Sequence, residues 1–147
     1  MIGIGASVAD IGTDHGHLPV YLAQKGTAGR IIASDISAAS LSAAKRSAMD
    51  FDVSDAITFH VAPGLDGITP ADVDTIVIAG LGGETIISIL ENAPWTKKHK
   101  VTLILQPQSK IDLLFRFLYD TGYEIKQTRS VLDKRKHYII ILVTGGE

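Results

Sequence analysis

The sequence of 147 residues contains no cysteine. Disulfide bonds, thiolate metal ligands and cysteine nucleophiles are therefore excluded within it. It also lacks any apolar run of the roughly 18 to 20 residues that a membrane-spanning helix needs. The first five residues lack the basic segment that opens a signal peptide. We therefore expect a cytoplasmic protein that does not associate with membranes.

Neither sign of charge dominates the sequence. Fourteen Lys and Arg residues face sixteen Asp and Glu residues, which gives a formal net charge of -2. Domains that bind nucleic acid over much of their surface are usually strongly basic, so the net charge gives no support for a broad affinity of that kind. The net charge does not exclude a local basic patch on the surface. The hydrophobic content of 46% is typical of a folded protein, and the length predicts one domain over residues 1–147.

Apolar and helical segments alternate along the chain. Strands are predicted at residues 7–12, 30–36, 56–62, 74–79, 101–105, 123–131 and 137–144. Helices are predicted at residues 17–26, 38–49, 83–92 and 110–121, with Ser37 and Ser109 as the N-caps of the second and the fourth. This alternation predicts an α/β fold, a Rossmann-like, doubly wound, mostly parallel seven-stranded sheet. The charged turn at residues 133–136 predicts that the last two strands form a C-terminal antiparallel hairpin.

The segment Asp-Ile-Gly-Thr-Asp-His-Gly at residues 10–16 follows the first predicted strand. A glycine such as Gly12 lets the backbone approach a ligand closely, and Asp35 follows 23 positions later at the end of the next strand. This spacing indicates a nucleoside site in which Asp35 accepts the ribose hydroxyls. The carboxylates of Asp10 and Asp14 would repel a pyrophosphate but suit a cationic ligand. The pattern therefore favours S-adenosyl-L-methionine over a nicotinamide dinucleotide.

Each of these residues also has a structural interpretation. Asp10 could cap backbone N–H groups of the turn, or it could contact the ammonium group of S-adenosyl-L-methionine. Asp14 and His15 could be helix-entry residues, or they could contact the substrate. Ile36 is counted with Asp35 among the predicted cofactor contacts. The spacing of His15 and His17 is weak evidence for a metal site, so no metal is expected.

Three later strand ends carry glycine, acid, amide or proline residues. Gly64 and Asp66 could contact the adenine ring or form a plain turn. The segment from Ala79 to Glu84 holds three glycines, which could form a floor for the reacting groups or a helix start. Gln106 and Pro107 could contact a base edge or simply end a strand. Carboxyl ends of parallel strands carry the ligand sites of such folds, so one shared site is expected.

Two basic clusters complete the set of candidate features. They lie at residues 97–100 and 134–136, in segments that we expect to be exposed connections. Such clusters are usually solvated surface, and they could also contact the phosphates of a nucleic acid.

Together these motifs resemble the TrmK-type tRNA (adenine(22)-N1)-methyltransferases. The resemblance covers nearly the whole chain and is carried by residues 10–19 (DIGTDHGHLP), 33–36 (ASDI), 78–83 (IAGLGG) and 105–108 (LQPQ). It implies a class I methyltransferase that uses S-adenosyl-L-methionine and methylates N1 of an adenine in tRNA. Cofactor contacts are expected at Asp10, Gly12, Asp35, Ile36, Gly64, Asp66, Ala79 and Gly80. Contacts with the target base are expected at Asp14, His15, Gly82, Gln106 and Pro107.

Members of that family carry helical regions before and after this part. The chain is therefore expected to be the catalytic core, and full tRNA binding is expected to need those regions. A small-molecule methyltransferase, or a module that binds S-adenosyl-L-methionine without activity, would share the cofactor motif.

Overall fold

The computed structural model describes residues 1–99 and 101–145. Within them the chain forms seven strands, five α-helices and one 3-10 helix. The strands are β1 Ser7–Ile11, β2 Arg30–Asp35, β3 Thr58–Val61, β4 Thr75–Leu81, β5 Thr102–Pro107, β6 Tyr123–Asp133 and β7 Lys136–Gly145. The α-helices are α1 His17–Lys25, α2 Ala38–Asp50, α3 Gly83–Glu91, α4 Trp95–Lys98 and α5 Ile111–Asp120, and the 3-10 helix is Ser54–Ala56.

The seven strands form one mixed sheet in the order β3-β2-β1-β4-β5-β7-β6. Strand β2 pairs in parallel with β1 and with β3. Strand β7 runs antiparallel to both β5 and β6. The predicted α/β, Rossmann-like fold with a C-terminal antiparallel hairpin is therefore confirmed. In the part of the chain that the structure describes, no helix has the length and apolar character needed to cross a membrane.

The backbone divides into two compact units, one at residues 2–77 and one from residue 78 onward that also includes Met1. In the first unit, helix α2 buries one of its faces. Its buried residues Leu41, Ala44 and Ala48 are spaced three and four apart, the spacing that places side chains on one helical face. The small alanines allow close packing, and strands β1 and β2 of the same unit hold fully buried residues such as Val8 and Ala33.

In the second unit the core is built on β5 and β7. Leu103 and Leu105 of β5 and Ile141 and Val143 of β7 have no exposed surface. The buried residues of β7 alternate with half-buried ones, as expected for a strand with one covered face. Helices α3 and α5 add pairs spaced four residues apart, which are Ile86 with Leu90 and Leu114 with Leu118.

One of the two predicted N-caps is confirmed and the other is wrong. Ser37 caps α2, because its hydroxyl oxygen accepts a hydrogen bond from the N–H of Ser40 at 3.2 Å. Ser109 does not cap α5. The residue before that helix is Lys110, in the left-handed region at φ 52, and it makes no side-chain cap. The carbonyl of Ser109 instead accepts from the N–H of Gly83.

Several element bounds also differ from the prediction. Strands β4 and β5 continue two residues further, so Gly80, Gln106 and Pro107 lie inside strands. The hairpin is longer than predicted, because only Lys134 and Arg135 form its turn. Both have positive φ, 48 and 66. A two-residue hairpin turn needs positive φ at both positions when its twist matches the right-handed twist of the flanking strands. Helix α4 and the 3-10 helix were not predicted.

Replacing Gly16 with Ala should destabilise the fold by about 2–4 kcal/mol. Gly16 precedes α1 at φ 75, and a Cβ there would lie 2.8 Å from the Cβ of the buried Ala44. Left-handed strain of about 1 kcal/mol or more then adds to overpacking of about 1–3 kcal/mol. Urea unfolding followed by circular dichroism measures the loss.

Gly26→Ala is the matched control. Gly26 ends α1 at φ 68, and an added Cβ would meet open space there. The substitution carries the strain without the collision and should cost about 1 kcal/mol. Equal losses in the two variants would contradict the packing argument.

Candidate functional site

In the first unit, the turn after β1 is fixed to the end of β2 by backbone hydrogen bonds. The N–H groups of Gly12 and Thr13 both donate to the carbonyl of Ser34, at 2.9 and 3.0 Å. Gly12 has a φ of 73, a conformation that favours glycine. The turn therefore lies against the carboxyl end of β2, where Asp35 follows.

Asp35 connects this turn to the start of α2. One of its carboxylate oxygens accepts from the N–H of Asp14 at 3.1 Å, and the other accepts from the N–H of Ser37 at 2.9 Å. A carboxylate oxygen can accept a second hydrogen bond, so both atoms keep capacity for ribose hydroxyls. Capping of α2 falls to Ser37, as the sequence predicted, and ribose binding by Asp35 stays a prediction.

Asp10 is a buried carboxyl with a side-chain partner. It is 6% exposed, and its Oδ2 accepts from the hydroxyl of Thr13 at 2.9 Å. Burial raises the pKa of Asp10 to about 7. The hydrogen bond from Thr13 opposes this rise, and the negative charge of Asp35 adds to it. One interpretation from the sequence was that Asp10 caps backbone N–H groups of the turn. Within residues 1–99 and 101–145, the hydrogen-bond partner of its carboxyl group is instead the hydroxyl of Thr13.

Asp14 and His15 lie in the turn ahead of α1, with side chains that are 70% and 60% exposed. The N-cap position of that helix is occupied by Gly16 rather than by Asp14 or His15. The rings of His15 and His17 are 6.0 Å apart between centroids. Among the described residues no group of three or more His, Asp or Glu side chains is arranged to hold a metal ion. The expectation of no metal site stays a prediction.

The segment after β3 is also held near Asp35. The N–H of Ala62 donates to the carbonyl of Asp35 at 3.1 Å. Gly64 and Asp66 then form a turn, in which the carbonyl of Asp66 lies 2.7 Å from Nε2 of His60. The side chain of Asp66 is exposed. Ile36 is also exposed, at 72%, which is unusual for a large apolar residue beside a buried carboxylate.

In the second unit, the end of β4 and the end of β5 are joined by hydrogen bonds. The N–H of Gly80 donates to Oε1 of Gln106 at 2.9 Å. The N–H of Gln108 donates to the carbonyl of Leu81 at 2.8 Å. Pro107 is buried between these contacts, as the last residue of β5. The structure thus brings Gly80 and the segment 106–108 together.

Gly82 and Gly83 pack against the segment that precedes α5. A Cβ on Gly83 would collide with the backbone carbonyl oxygens of Ser109 and Lys110, and one on Gly82 would lie 2.9 Å from Oγ of Ser109. Close packing therefore accounts for Gly83 and contributes to the need for Gly82. At Gly83 this packing favours the helix-start interpretation over a floor for the reacting groups.

Three residues with structural roles at these turns were not singled out from the sequence, and Ser109 was assigned a different role, as an N-cap. The three are Thr13, Ser34 and His60. A Thr three positions after Asp10 is a pattern that could have suggested the hydroxyl partner. Ser34 and Ser109 act here through backbone carbonyls, which no sequence pattern marks. The hydroxyl of Ser34 is buried without a hydrogen-bond partner in the described part of the chain.

Replacing Asp10 with Asn should stabilise the protein relative to the wild type by an amount that grows with pH. The pKa of Asp10 rises from 3.8 to about 7 on folding, so between these values the folded wild type retains a proton that the unfolded chain has released. The free energy of unfolding of the wild type therefore falls by about 4 kcal/mol as pH rises from about 4 to 7. Each unit of pKa difference between the folded and unfolded states contributes about 1.4 kcal/mol.

Urea unfolding of both proteins at pH 4 and pH 8 measures this difference. Asp14→Asn is the matched control, because it makes the same substitution in the same turn at a side chain that is 70% exposed. A gap between Asp10→Asn and wild type that is the same at both pH values would refute the buried-carboxyl assignment.

Comparison with known proteins agrees with the fold and the motifs. A family model described as "Methyltransferase domain" matches residues 1–141. The tRNA (adenine(22)-N(1))-methyltransferase of Bacillus subtilis is 32% identical over 143 residues, which are 97% of this chain and 60% of that protein. The chain spans about 60% of the length of the curated relatives it matches.

Two solved structures are similar over almost the whole chain. Streptococcus pneumoniae Sp1610, described as a candidate tRNA (m1A22) methyltransferase and solved with S-adenosyl-L-methionine, is 31% identical with a TM-score of 0.90, covering 99% of this chain and 68% of that one. M. capricolum TrmK in complex with S-adenosyl-homocysteine is 26% identical with a TM-score of 0.83, covering 97% and 63%. The chain therefore belongs to the methyltransferase domain family, and within it the chain is similar to the tRNA (adenine(22)-N1)-methyltransferases that its motifs resemble.

Proposed function

We propose that this chain transfers a methyl group from S-adenosyl-L-methionine to N1 of an adenine in tRNA, at position 22. The observation that carries the proposal is the 32% identity to the Bacillus subtilis tRNA (adenine(22)-N(1))-methyltransferase over 97% of this chain. With tRNA as the substrate, the proposal includes a cytoplasmic location.

The residues of the first unit fit S-adenosyl-L-methionine chemically. Asp35 presents two carboxylate oxygens, each with one backbone donor and room for another. That arrangement suits the two vicinal hydroxyls of a ribose. The buried carboxyl of Asp10 suits a cation, because ionisation there is unfavourable until an opposite charge is nearby. Gly12 exposes backbone in place of a side chain.

The remaining proposed cofactor contacts follow from exposure and position. Ile36 offers an exposed apolar side chain next to Asp35, which suits the face of an adenine ring. The turn holding Gly64 and Asp66 offers backbone groups and a carboxylate for the edge of that ring. Ala79 and Gly80, at the end of β4, are proposed as further cofactor contacts.

Methyl transfer to N1 of adenine requires little proton transfer by the protein. When bound, S-adenosyl-L-methionine supplies an electrophilic methyl group on a positively charged sulfur. The N1 of adenine carries a free lone pair near neutral pH, so no side chain has to remove a proton before the reaction. The residues therefore act by positioning the base, which can lower a barrier by several kcal/mol. A base within a stacked or paired segment has to leave that segment first.

Five residues are proposed to contact the target base, and Gln106 has the clearest chemistry among them. Its Oε1 accepts from Gly80, and its Nε2 makes a long hydrogen bond of 3.4 Å to the carbonyl of Pro107. The second N–H of that amide can donate to a ring nitrogen. Gly82 and Pro107 are proposed to offer backbone and apolar surface to the base. In the first unit, the exposed Asp14 and His15 are proposed as base contacts from their chemistry alone.

Incubation of the protein with radiolabelled S-adenosyl-L-methionine and unmodified tRNA transcripts tests the proposed activity. We expect label in N1-methyladenosine, lost when adenine 22 is replaced by guanine. A matched transcript with a different adenine replaced serves as the control and should keep its label. Transfer to a small molecule alone, or binding of the cofactor without transfer to any RNA, would contradict the proposal.

Asp35→Ala should weaken the binding of S-adenosyl-L-methionine by about ten- to a hundredfold. Hydrogen bonds to a charged group contribute about 1.5–3 kcal/mol, and each 1.4 kcal/mol is a factor of ten. Isothermal titration calorimetry measures the affinity, and circular dichroism shows whether the variant folds. Asp50→Ala removes an exposed carboxylate at the end of α2 and should bind normally. Unchanged affinity in the Asp35 variant would sink the ribose assignment.

A further inference from the structure

The two last strands form a projecting hairpin arm, defined here as residues 126–138. Twelve consecutive residues, 126–137, are exposed, although β6 and β7 stay paired along this stretch. The register runs from Arg129 opposite Ile140 to Asp133 opposite Lys136. Such a long exposed stretch in regular strands is unusual, because strands normally bury at least one face.

The tip of the arm, residues 131–138, projects past the end of β5, on the side where Gln106 and Pro107 lie. Strand β5 pairs with β7 from Leu103 opposite Val143 to Leu105 opposite Ile141. Continued, this register sets Pro107 level with Ile139. The tip beyond Ile139 therefore extends about 10 Å further, at about 3.3 Å per residue. It stands at the same strand end as Gln106 and Pro107, two of the residues proposed to contact the target base.

The arm is strongly basic, whereas the whole chain has a formal net charge of -2. Residues 126–137 hold five Lys and Arg against one Asp, a local net charge of +4. Outside them nine Lys and Arg face fifteen Asp and Glu. Lys126 is engaged by Glu124, at 2.9 Å, so the cations toward the tip carry the excess. They are Arg129, Lys134, Arg135 and Lys136.

One face of the arm combines two of these cations, Arg129 and Lys136, with aromatic and apolar groups and with the carboxylate of Asp133. Directly opposite residues share a face, as do residues two apart on a strand. Arg129 therefore shares a face with Val131, whose partner Tyr138 is half-buried, and with the pair Asp133 and Lys136 near the turn. Cations interleaved with an aromatic ring suit a nucleic acid, in which phosphates alternate with flat bases.

We propose that the arm is an RNA-binding surface that contacts phosphates of the substrate beside the target base. The inference rests on the proposed function for its choice of RNA. The arginines can bind a phosphate through two parallel N–H donors, and the lysines act as point charges. Contacts near the tip would orient the strand whose adenine reaches Gln106.

Other occupants of a basic edge strand are a second copy of the chain, paired through β6, and an anionic membrane. Charged residues on an edge strand disfavour pairing with another strand. The position of the tip at the end of β5 favours the substrate itself over a remote partner. Both alternatives are outcomes of the test below.

The test variant replaces Lys134 with Asn and Arg135 with Gly, and adds Lys136→Gln. Asn-Gly is the preferred pair for a two-residue turn with positive φ at both positions, so the arm should keep its fold. Lys25→Gln with Arg46→Gln and Lys45→Gln is the matched control, which removes three cations from helices α1 and α2. Circular dichroism verifies folding of both variants.

Fluorescence anisotropy with tRNA, measured over a salt series from about 50 to about 200 mM, gives the affinity and its salt dependence. We expect the arm variant to bind tRNA at least about tenfold more weakly at the lowest salt. The slope of log affinity against log salt should fall by about 2, since each phosphate contact contributes about 0.7 to 0.9. Binding of S-adenosyl-L-methionine should be unchanged, and the KM for tRNA should rise more than kcat falls.

Several results would overturn the inference. They are wild-type tRNA affinity and salt slope in the arm variant, an equal loss in the control variant, and no measurable tRNA binding by the wild-type chain. Arm-dependent dimers in light scattering, or arm-dependent binding to phosphatidylserine vesicles, with tRNA binding unaffected, would do the same. Arm-dependent tRNA binding without methyl transfer by the wild type would instead contradict the proposed function and support the arm as an RNA surface.

Discussion

The hydrogen bonds that fix the turn after β1 to the end of β2 are the constraint on which the first unit's site depends. The carbonyl of Ser34 accepts from Gly12 and Thr13, and the carboxylate of Asp35 accepts from Asp14 and Ser37. These four contacts join the β1–α1 turn, the end of β2 and the start of α2. Asp35 consequently has a structural role and a proposed ligand-binding role at once, and removal of its carboxylate affects both.

The same constraint places two carboxyl groups in one small region. Asp10 and Asp35 are both buried, and the charge of Asp35 helps to raise the pKa of Asp10. Such a pair is unfavourable in the protein alone, because two like charges lie in a medium that screens them weakly. Strongly perturbed carboxyl groups cluster at functional sites for this reason. A cationic ligand would relieve the repulsion, which connects the electrostatics of these two carboxyl groups to the chemistry of S-adenosyl-L-methionine.

Particular residues show how far sequence reasoning could reach. Ser37 and Ser109 both precede helical segments and look equivalent as N-caps, yet only Ser37 caps its helix. At the second position Lys110 takes a left-handed conformation, and the carbonyl of Ser109 bonds to Gly83, 26 residues away. The basic residues 134–136 looked like an exposed connection. In the structure only two of them form the turn, and the flanking strands extend as a paired, exposed arm.

Local patterns in the sequence were enough to predict the fold class, the order of the seven strands and of four of the five α-helices, and the acidic turn after β1. These follow from periodicity, glycine positions and the spacing between Gly12 and Asp35, which are properties of the linear sequence. Tertiary contacts were needed to establish that Thr13 is the partner of Asp10, that packing requires Gly83, and that the last hairpin projects beyond β5. The packing of Gly83 and the register of the hairpin depend on segments that the chain brings together only on folding, so no local pattern encodes them. The partner of Asp10 is close in sequence, but which hydroxyl or backbone group it meets is set by how the buried turn packs.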